Sequence, residues 1–200
     1  MGRTSAAREE LIESAANELW QGSYGSVGGG ALCAAAGVKR GSFYYFFDSK
    51  DDLVLAALEH SWERLRQPLE RILGDETVPP LERLTRFFGA IADLHEQERA
   101  ATGRVPGCPF GNLSVELATT NPAIRQRVAD IFDRIQERFA ALLQAAREAG
   151  EVTLEGTEVA DRAEQLLGCL QGAQVLAKTQ ADPDAIRRMA TAAVAIARGA

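Results

Sequence analysis

The sequence predicts an all-α protein. Three observations carry this. Apolar residues recur at helical spacing in segment after segment from residue 5 onward. Glycine, proline and capping residues fall where those segments begin and end. No stretch alternates with the two-residue period of a strand, and no internal repeat or low-complexity tract breaks the pattern.

Residues 5–21 read as the first helix, with Leu11, Ile12, Ala15, Ala16, Leu19 and Trp20 at helical spacing and Gly22 as the stop. Residues 23–36 hold the second. Tyr24 and Ser26 lead into Val27-Gly28-Gly29-Gly30. Each glycine inside a helix costs about 1 kcal/mol relative to alanine, so this helix starts weakly. It is expected over about 30–36, with Leu32 and Ala36 inward. Gly37 can take the positive φ that ends it and turns the chain.

The segment after Gly37 reads Val-Lys-Arg-Gly-Ser-Phe-Tyr-Tyr-Phe-Phe. It is about two turns long, the size of a recognition helix laid in a DNA major groove by its N-terminal end. Lys39, Arg40, Ser42, Tyr44, Tyr45 and Lys50 can all donate to phosphate oxygens. A short amphipathic helix whose aromatics fill a small core reads the same way, and Phe43, Phe46 and Phe47 do that on either reading. Two adjacent tyrosines beside three cations are more than a core needs.

Composition sets bounds. A hydrophobic content of 46% in 200 residues supports a sizeable core. No apolar run is long enough to span a membrane and no secretory signal opens the chain, so a cytoplasmic protein is expected. Cys33, Cys108 and Cys169 are too widely separated for a disulfide framework or a metal site. The net charge of −6 argues against a wholly basic coat. The charge is uneven, however. Residues 1–50 hold five cations (Arg3, Arg8, Lys39, Arg40, Lys50) against five anions (Glu9, Glu10, Glu13, Glu18, Asp48), with the cations gathered at 39–50. A local basic face suits DNA, because phosphate contacts act at short range in salt.

Ala36-Gly37-Val38, then Gly41-Ser42-Phe43-Tyr44-Tyr45-Phe46-Phe47 and Ser49-Lys50-x-x-Leu53, resembles the signature of TetR/AcrR-family transcriptional regulators. The resemblance implies a small N-terminal head of three helices, a helix-turn-helix DNA-binding domain over 1–50, and a larger C-terminal helical bundle over 51–200 that senses a ligand and dimerises. It implies DNA contacts from Tyr24, Ser26, Lys39, Arg40, Gly41, Ser42, Tyr44, Tyr45 and Lys50, with base edges read chiefly by Lys39, Arg40 and Ser42. Arg3 and Arg8 lie at the front of the first helix, where family members often touch phosphate; a frayed, solvated terminus is the other reading of Arg3. The chain departs from the family pattern where Val27 replaces the capping threonine and Gly29 the buried aliphatic. Ser26 or Gly28 is left to cap the helix, and the head is expected to be loose until it meets DNA. The glycines would equally let the backbone approach a phosphate.

In the body, Ser49-x-x-Asp52 is a capping box. It opens a helix with Leu53, Val54, Ala57, Leu58, Trp62, Leu65 and Leu69 inward. Pro68 either kinks it or starts a separate short helix, 68–73. After a loop over 74–80, helix 81–98 places Leu84, Phe87, Phe88, Ile91 and Leu94 on one side, with His95 near its end. Residues 101–111, broken by glycine and proline around Cys108, are expected to be irregular, and 112–118 a short helix. Asn121-Pro122 starts a helix to about Ala149, with Ile124, Val128, Ile131, Ile135, Phe139, Leu142 and Ala146 inward and Gly150 as its stop. Thr157 caps another, to about Gln180, and Asp182-Pro183 opens the last, which ends before Gly199. The combined apolar width of helices 122–149 and 157–180, with Gly168 and Gly172 four apart, predicts a four-helix homodimer interface like the family's.

The family's body senses a small molecule. Here the candidate lining is Trp62, Phe87, Phe88, Ile91, His95, Cys108, Phe110, Asn112, Glu116 and Phe132, an apolar set with a few polar groups. Helix-spaced aromatics also simply pack. Cys108, in its Gly/Pro loop, is a candidate reactive thiol, while Cys33 and Cys169 read as small core residues. With two histidines (His60 and His95), no nucleophile motif, no phosphate loop and no metal spacing, an enzyme is disfavoured and no cofactor is implied. The expected function is a DNA-binding transcriptional regulator, a homodimeric repressor released from a palindromic operator by a small apolar ligand. The alternatives are an adaptor on the same fold that answers a protein partner or thiol chemistry, and a chain that keeps the fold but binds DNA poorly.

Overall fold

A computed structural model describes residues 3–27 and 40–199, with the side chains of 3–5 and 40–42 outside the description. Among the described residues every regular element is helical: α1 Arg3–Gln21, a 3-10 turn Tyr24–Ser26, α2 Arg40–Phe46, α3 Lys50–Leu73, α4 Pro80–Thr102, α5 Pro109–Leu117, α6 Pro122–Glu148, α7 Glu158–Gln180 and α8 Asp184–Arg198. The expected helix over 30–36, with Cys33, Lys39 and the glycines 28–30, lies outside the described residues.

The chain forms two compact units, Met1–Arg64 with Pro109–Ala129, and Leu65–Cys108 with Asp130–Ala200. These units do not follow the 1–50 and 51–200 division, because the chain returns to the first unit through α5 and the start of α6.

In the first unit the stripe of α1 is buried as its spacing predicts, together with Val27, Phe43, Phe47, Leu53, Val54, Ala57, Leu58 and Trp62. Phe46 is only half-buried and stands edge-on to Tyr45. Ser49 caps α3: its Oγ accepts the Asp52 N–H at 3.1 Å. The second arm differs from the expected box, because the Asp52 carboxylate accepts the Ser49 hydroxyl at 2.7 Å. Asn121 caps α6, its Oδ1 accepting the Ile124 N–H at 3.1 Å. Pro68 lies inside an unbroken α3, so no separate helix begins there.

In the second unit α8 packs on α4 and α7. Its buried positions are mostly small (Ala185, Ala190, Ala193, Ala197), which lets helix axes approach closely. Phe87 meets Phe88 and Phe139 edge-on, at 6.4 and 5.9 Å between ring centres. Helix α4 is longer than expected at its C-terminus and stops at Gly103, whose φ of 75° places it in the left-handed region. A distant residue caps its N-terminus, Glu151 accepting the Leu81 N–H at 2.9 Å. Pro109 opens α5 earlier than expected, since proline suits the first helical position. Thr157 precedes α7 but makes no side-chain capping bond; Glu158 instead accepts the Glu155 N–H at 2.8 Å.

Two expectations about faces are corrected. Leu94 is exposed and His95 takes the inward place on α4. The surplus apolar width expected of helices 122–149 and 157–180 is found on α7 alone. The apolar stripe of α6 is buried within the chain, whereas on α7 Val175 is 61% and Leu176 43% exposed. Open space lies over Gly168 and Gly172.

Candidate nucleic-acid interface

Helix α2 is seven residues long and presents Tyr44 and Tyr45, each 74% exposed. Adjacent residues on a helix point about 100° apart, so both are outward only if a wide arc of the helix is uncovered. Phe43 and Phe47 anchor the opposite side in the core. The Arg8 guanidinium lies over the Phe47 ring, 5.2 Å from its centre, which ties the front of α1 to the end of α2. Of the other candidates here, Lys39 lies outside the described residues, and Arg40, Gly41 and Ser42 are placed only as the first turn of α2.

The 3-10 turn and the start of α3 form a second cluster. Ser26 is exposed, its hydroxyl donating to the Ser23 carbonyl at 2.7 Å and accepting the Ser23 N–H at 3.1 Å. The Tyr24 hydroxyl donates to the Asp51 carboxylate at 2.7 Å. That bond, together with burial and the charges of Asp51 and Glu116, pushes the phenol pKa up to about 12. Lys50 places its ammonium 3.7 Å from the centre of the Tyr24 ring. Asn121 donates to the other Asp51 oxygen at 2.8 Å. Glu116, a candidate for the ligand lining, is exposed and accepts the Tyr24 backbone N–H at 2.9 Å. The sequence reading missed Asp51 altogether, and it assigned Asn121 a capping role only.

The candidate ligand residues divide between the units. Trp62, Phe110, Asn112 and Glu116 belong to the first, and Phe87, Phe88, Ile91, His95, Cys108 and Phe132 to the second. Phe132 is half-buried, and the other five of the second unit are buried. His95 is 1% exposed and lies beside Gln174 of α7, which is also buried. Burial pushes the imidazole pKa down to about 4, against the opposing pull of the Gln174 amide. Gln174 was not foreseen. A glutamine among the alanines and leucines of α7 is the signal that would have found it. Gly107, with φ of 76°, runs beside α7, where a Cβ would meet the Lys178 side chain at 3.2 Å. Cys108 follows it and is buried, as is Cys169.

Among the described residues no helix is long and apolar enough to cross a membrane.

Two family models match the chain. One, for bacterial regulatory proteins of the tetR family, covers residues 11–57, and the other, for the tetracyclin repressor-like C-terminal domain, covers 80–193. The transcriptional regulator AcuR of Cereibacter sphaeroides is 32% identical over 180 residues, which is 90% of this chain and 80% of that one. The transcriptional repressor DhaR of a Mycobacterium species is 29% identical over 152 residues, 76% of this chain and 72% of its own. A crystal structure of a regulatory protein TetR from Rhodobacter sphaeroides superposes with a TM-score of 0.83 at 28% identity, over 94% of this chain and 97% of that one. The chain therefore belongs to the TetR family and is a DNA-binding transcriptional regulator rather than an enzyme.

Proposed function

We propose that this regulator is a homodimeric repressor, released from a palindromic operator by a small apolar ligand. The exposed Tyr44 and Tyr45 pair carries the DNA part of the reading: α2 is anchored by Phe43 and Phe47 and leaves two large amphipathic side chains on the surface. On this reading residues 1–50 contain the DNA-contacting surface. Tyr44, Tyr45 and Lys50 fix register on phosphate, and Lys39, Arg40 and Ser42 read base edges. Residues 51–200 sense the ligand and dimerise.

Dimerisation is assigned to α7. Its open Gly168 and Gly172 and its exposed Val175 and Leu176 form a face that a second copy would cover. Met189, Ala192 and Ile196 of α8, which packs on α7, are half-buried. A two-fold axis through such an interface suits two half-sites about 34–36 Å apart or a multiple of that. The ligand is assigned to the aromatic interior of the second unit, where Phe87, Phe88 and Ile91 supply apolar contact and His95 a polar handle. The Mycobacterium relative's name, a repressor, agrees with the direction of control.

Two measurements test the reading. Sedimentation equilibrium is expected to give a dimer, and Leu176→Arg a folded monomer with weaker operator binding. Arg40→Ala is expected to change which sequence is preferred in a binding-site selection. An unchanged preference would remove Arg40 from base readout.

A further inference from the structure

The structure gives Tyr24 a different task from the phosphate contact its position suggests. Its hydroxyl is held at 2.7 Å by Asp51, its backbone N–H at 2.9 Å by Glu116, and its ring lies under the Lys50 ammonium. The second oxygen of Asp51 takes the Asn121 amide at 2.8 Å, while the same Asn121 caps α6. One carboxylate thus joins three pieces of chain that are far apart in sequence: the 24–26 turn, the first turn of α3 and the corner between α5 and α6. All three lie in the first unit. The turn leads into the segment before α2, and Lys50 adjoins Asp51, so the clasp sits at both ends of the DNA-contacting stretch. The Tyr24 and Asn121 bonds leave both Asp51 oxygens occupied.

We infer that Asp51, with Tyr24 and Asn121 as its two donors, is a positioning clasp for DNA binding. It holds the 24–26 turn and Lys50 in the arrangement that DNA selects, and none of the three side chains contacts the nucleic acid. The inference rests on the DNA-binding assignment. When the clasp opens, the competent arrangement becomes a smaller fraction of the population, and apparent affinity falls by that fraction. The number of phosphate contacts in the bound complex stays the same.

The test is titration of full-length protein against a selected duplex across a salt series, for the unsubstituted chain, Tyr24→Phe, Asn121→Ser and the double variant. Tyr24→Phe deletes only the hydroxyl. Asn121→Ser keeps an oxygen to cap α6 but is too short to reach Asp51. Each single variant is expected to fold and to lose roughly three- to tenfold in affinity. The slope of log affinity against log salt and the sequence preference are expected to be unchanged. The double variant should lose little more than the weaker single one, because both donors act through one carboxylate. Wild-type affinity in both single variants would overturn the clasp. So would a double loss equal to the product of the singles, or a loss in Tyr24→Phe beside wild-type affinity in Asn121→Ser, which would make Tyr24 a phosphate contact after all. Failure of the unsubstituted chain to bind any duplex would overturn the DNA-binding assignment itself, and the clasp with it.

Discussion

Tyr44 and Tyr45 on α2 and Phe87 and Phe88 on α4 are both pairs of adjacent aromatic residues on a helix, and the structure treats them in opposite ways. The phenylalanines are buried, with Phe139 of α6 edge-on to Phe87, so α4 is covered over a wide arc. The tyrosines are exposed, on a helix of only two turns held by Phe43 and Phe47. Large aromatic surface left in water brings no folding stability, whereas the same surface inside brings a great deal. The α4 pair is covered inside the second unit, in the interior assigned to the ligand. The α2 pair is left exposed among the described residues, and on the proposed reading the duplex covers it.

The contrast can be broken most forcefully at α4. Phe88→Ala is expected to cost about 3–5 kcal/mol of unfolding free energy, because it empties a fully enclosed site. Chemical denaturation measures this, and a loss under about 1 kcal/mol would mean the site is not close-packed.

His95 sharpens the same side. Folded, it stays neutral down to about pH 4, whereas the unfolded chain takes up a proton near the ordinary value of 6.5. The unfolded state therefore binds more protons between these values. The stability that neutral His95 contributes is complete above pH 6.5, declines as the pH falls and levels off below about 4. The loss comes to roughly 3 kcal/mol. His95→Gln should flatten that part of the stability profile, and an unaltered profile would place the titration elsewhere.

Tyr45→Ala, the smallest effect, belongs to the exposed pair. Stability is expected to change by less than about 0.5 kcal/mol. Affinity should fall about tenfold, and equally for every DNA sequence, as loss of a register contact requires. A change in preferred sequence would make Tyr45 a base reader.

The α-helical architecture was legible because burial follows the helical period. The stripes of α1 and α6 can be read residue by residue from apolar spacing. His95 went astray for a specific reason: Leu94 is the more hydrophobic neighbour, yet Leu84, Phe88, Ile91 and residue 95 keep the tighter phase, and phase wins over hydropathy once a helix is packed. The Asp51 clasp was not legible. Its partners lie 27 and 70 residues away, and no local rule links such positions. Thr157 is a different case: the local signal was present, but its side chain makes no capping bond. The tyrosine pair was legible from its residue types beside a basic cluster, while the groups that hold its neighbourhood in place were not.

The most direct test is selection of bound sequences from random duplex DNA by the purified protein, with its mass in solution recorded alongside. A two-fold symmetric site bound by a dimer is the predicted result. No enrichment from a folded dimer, or an asymmetric site bound by a single copy, would contradict it.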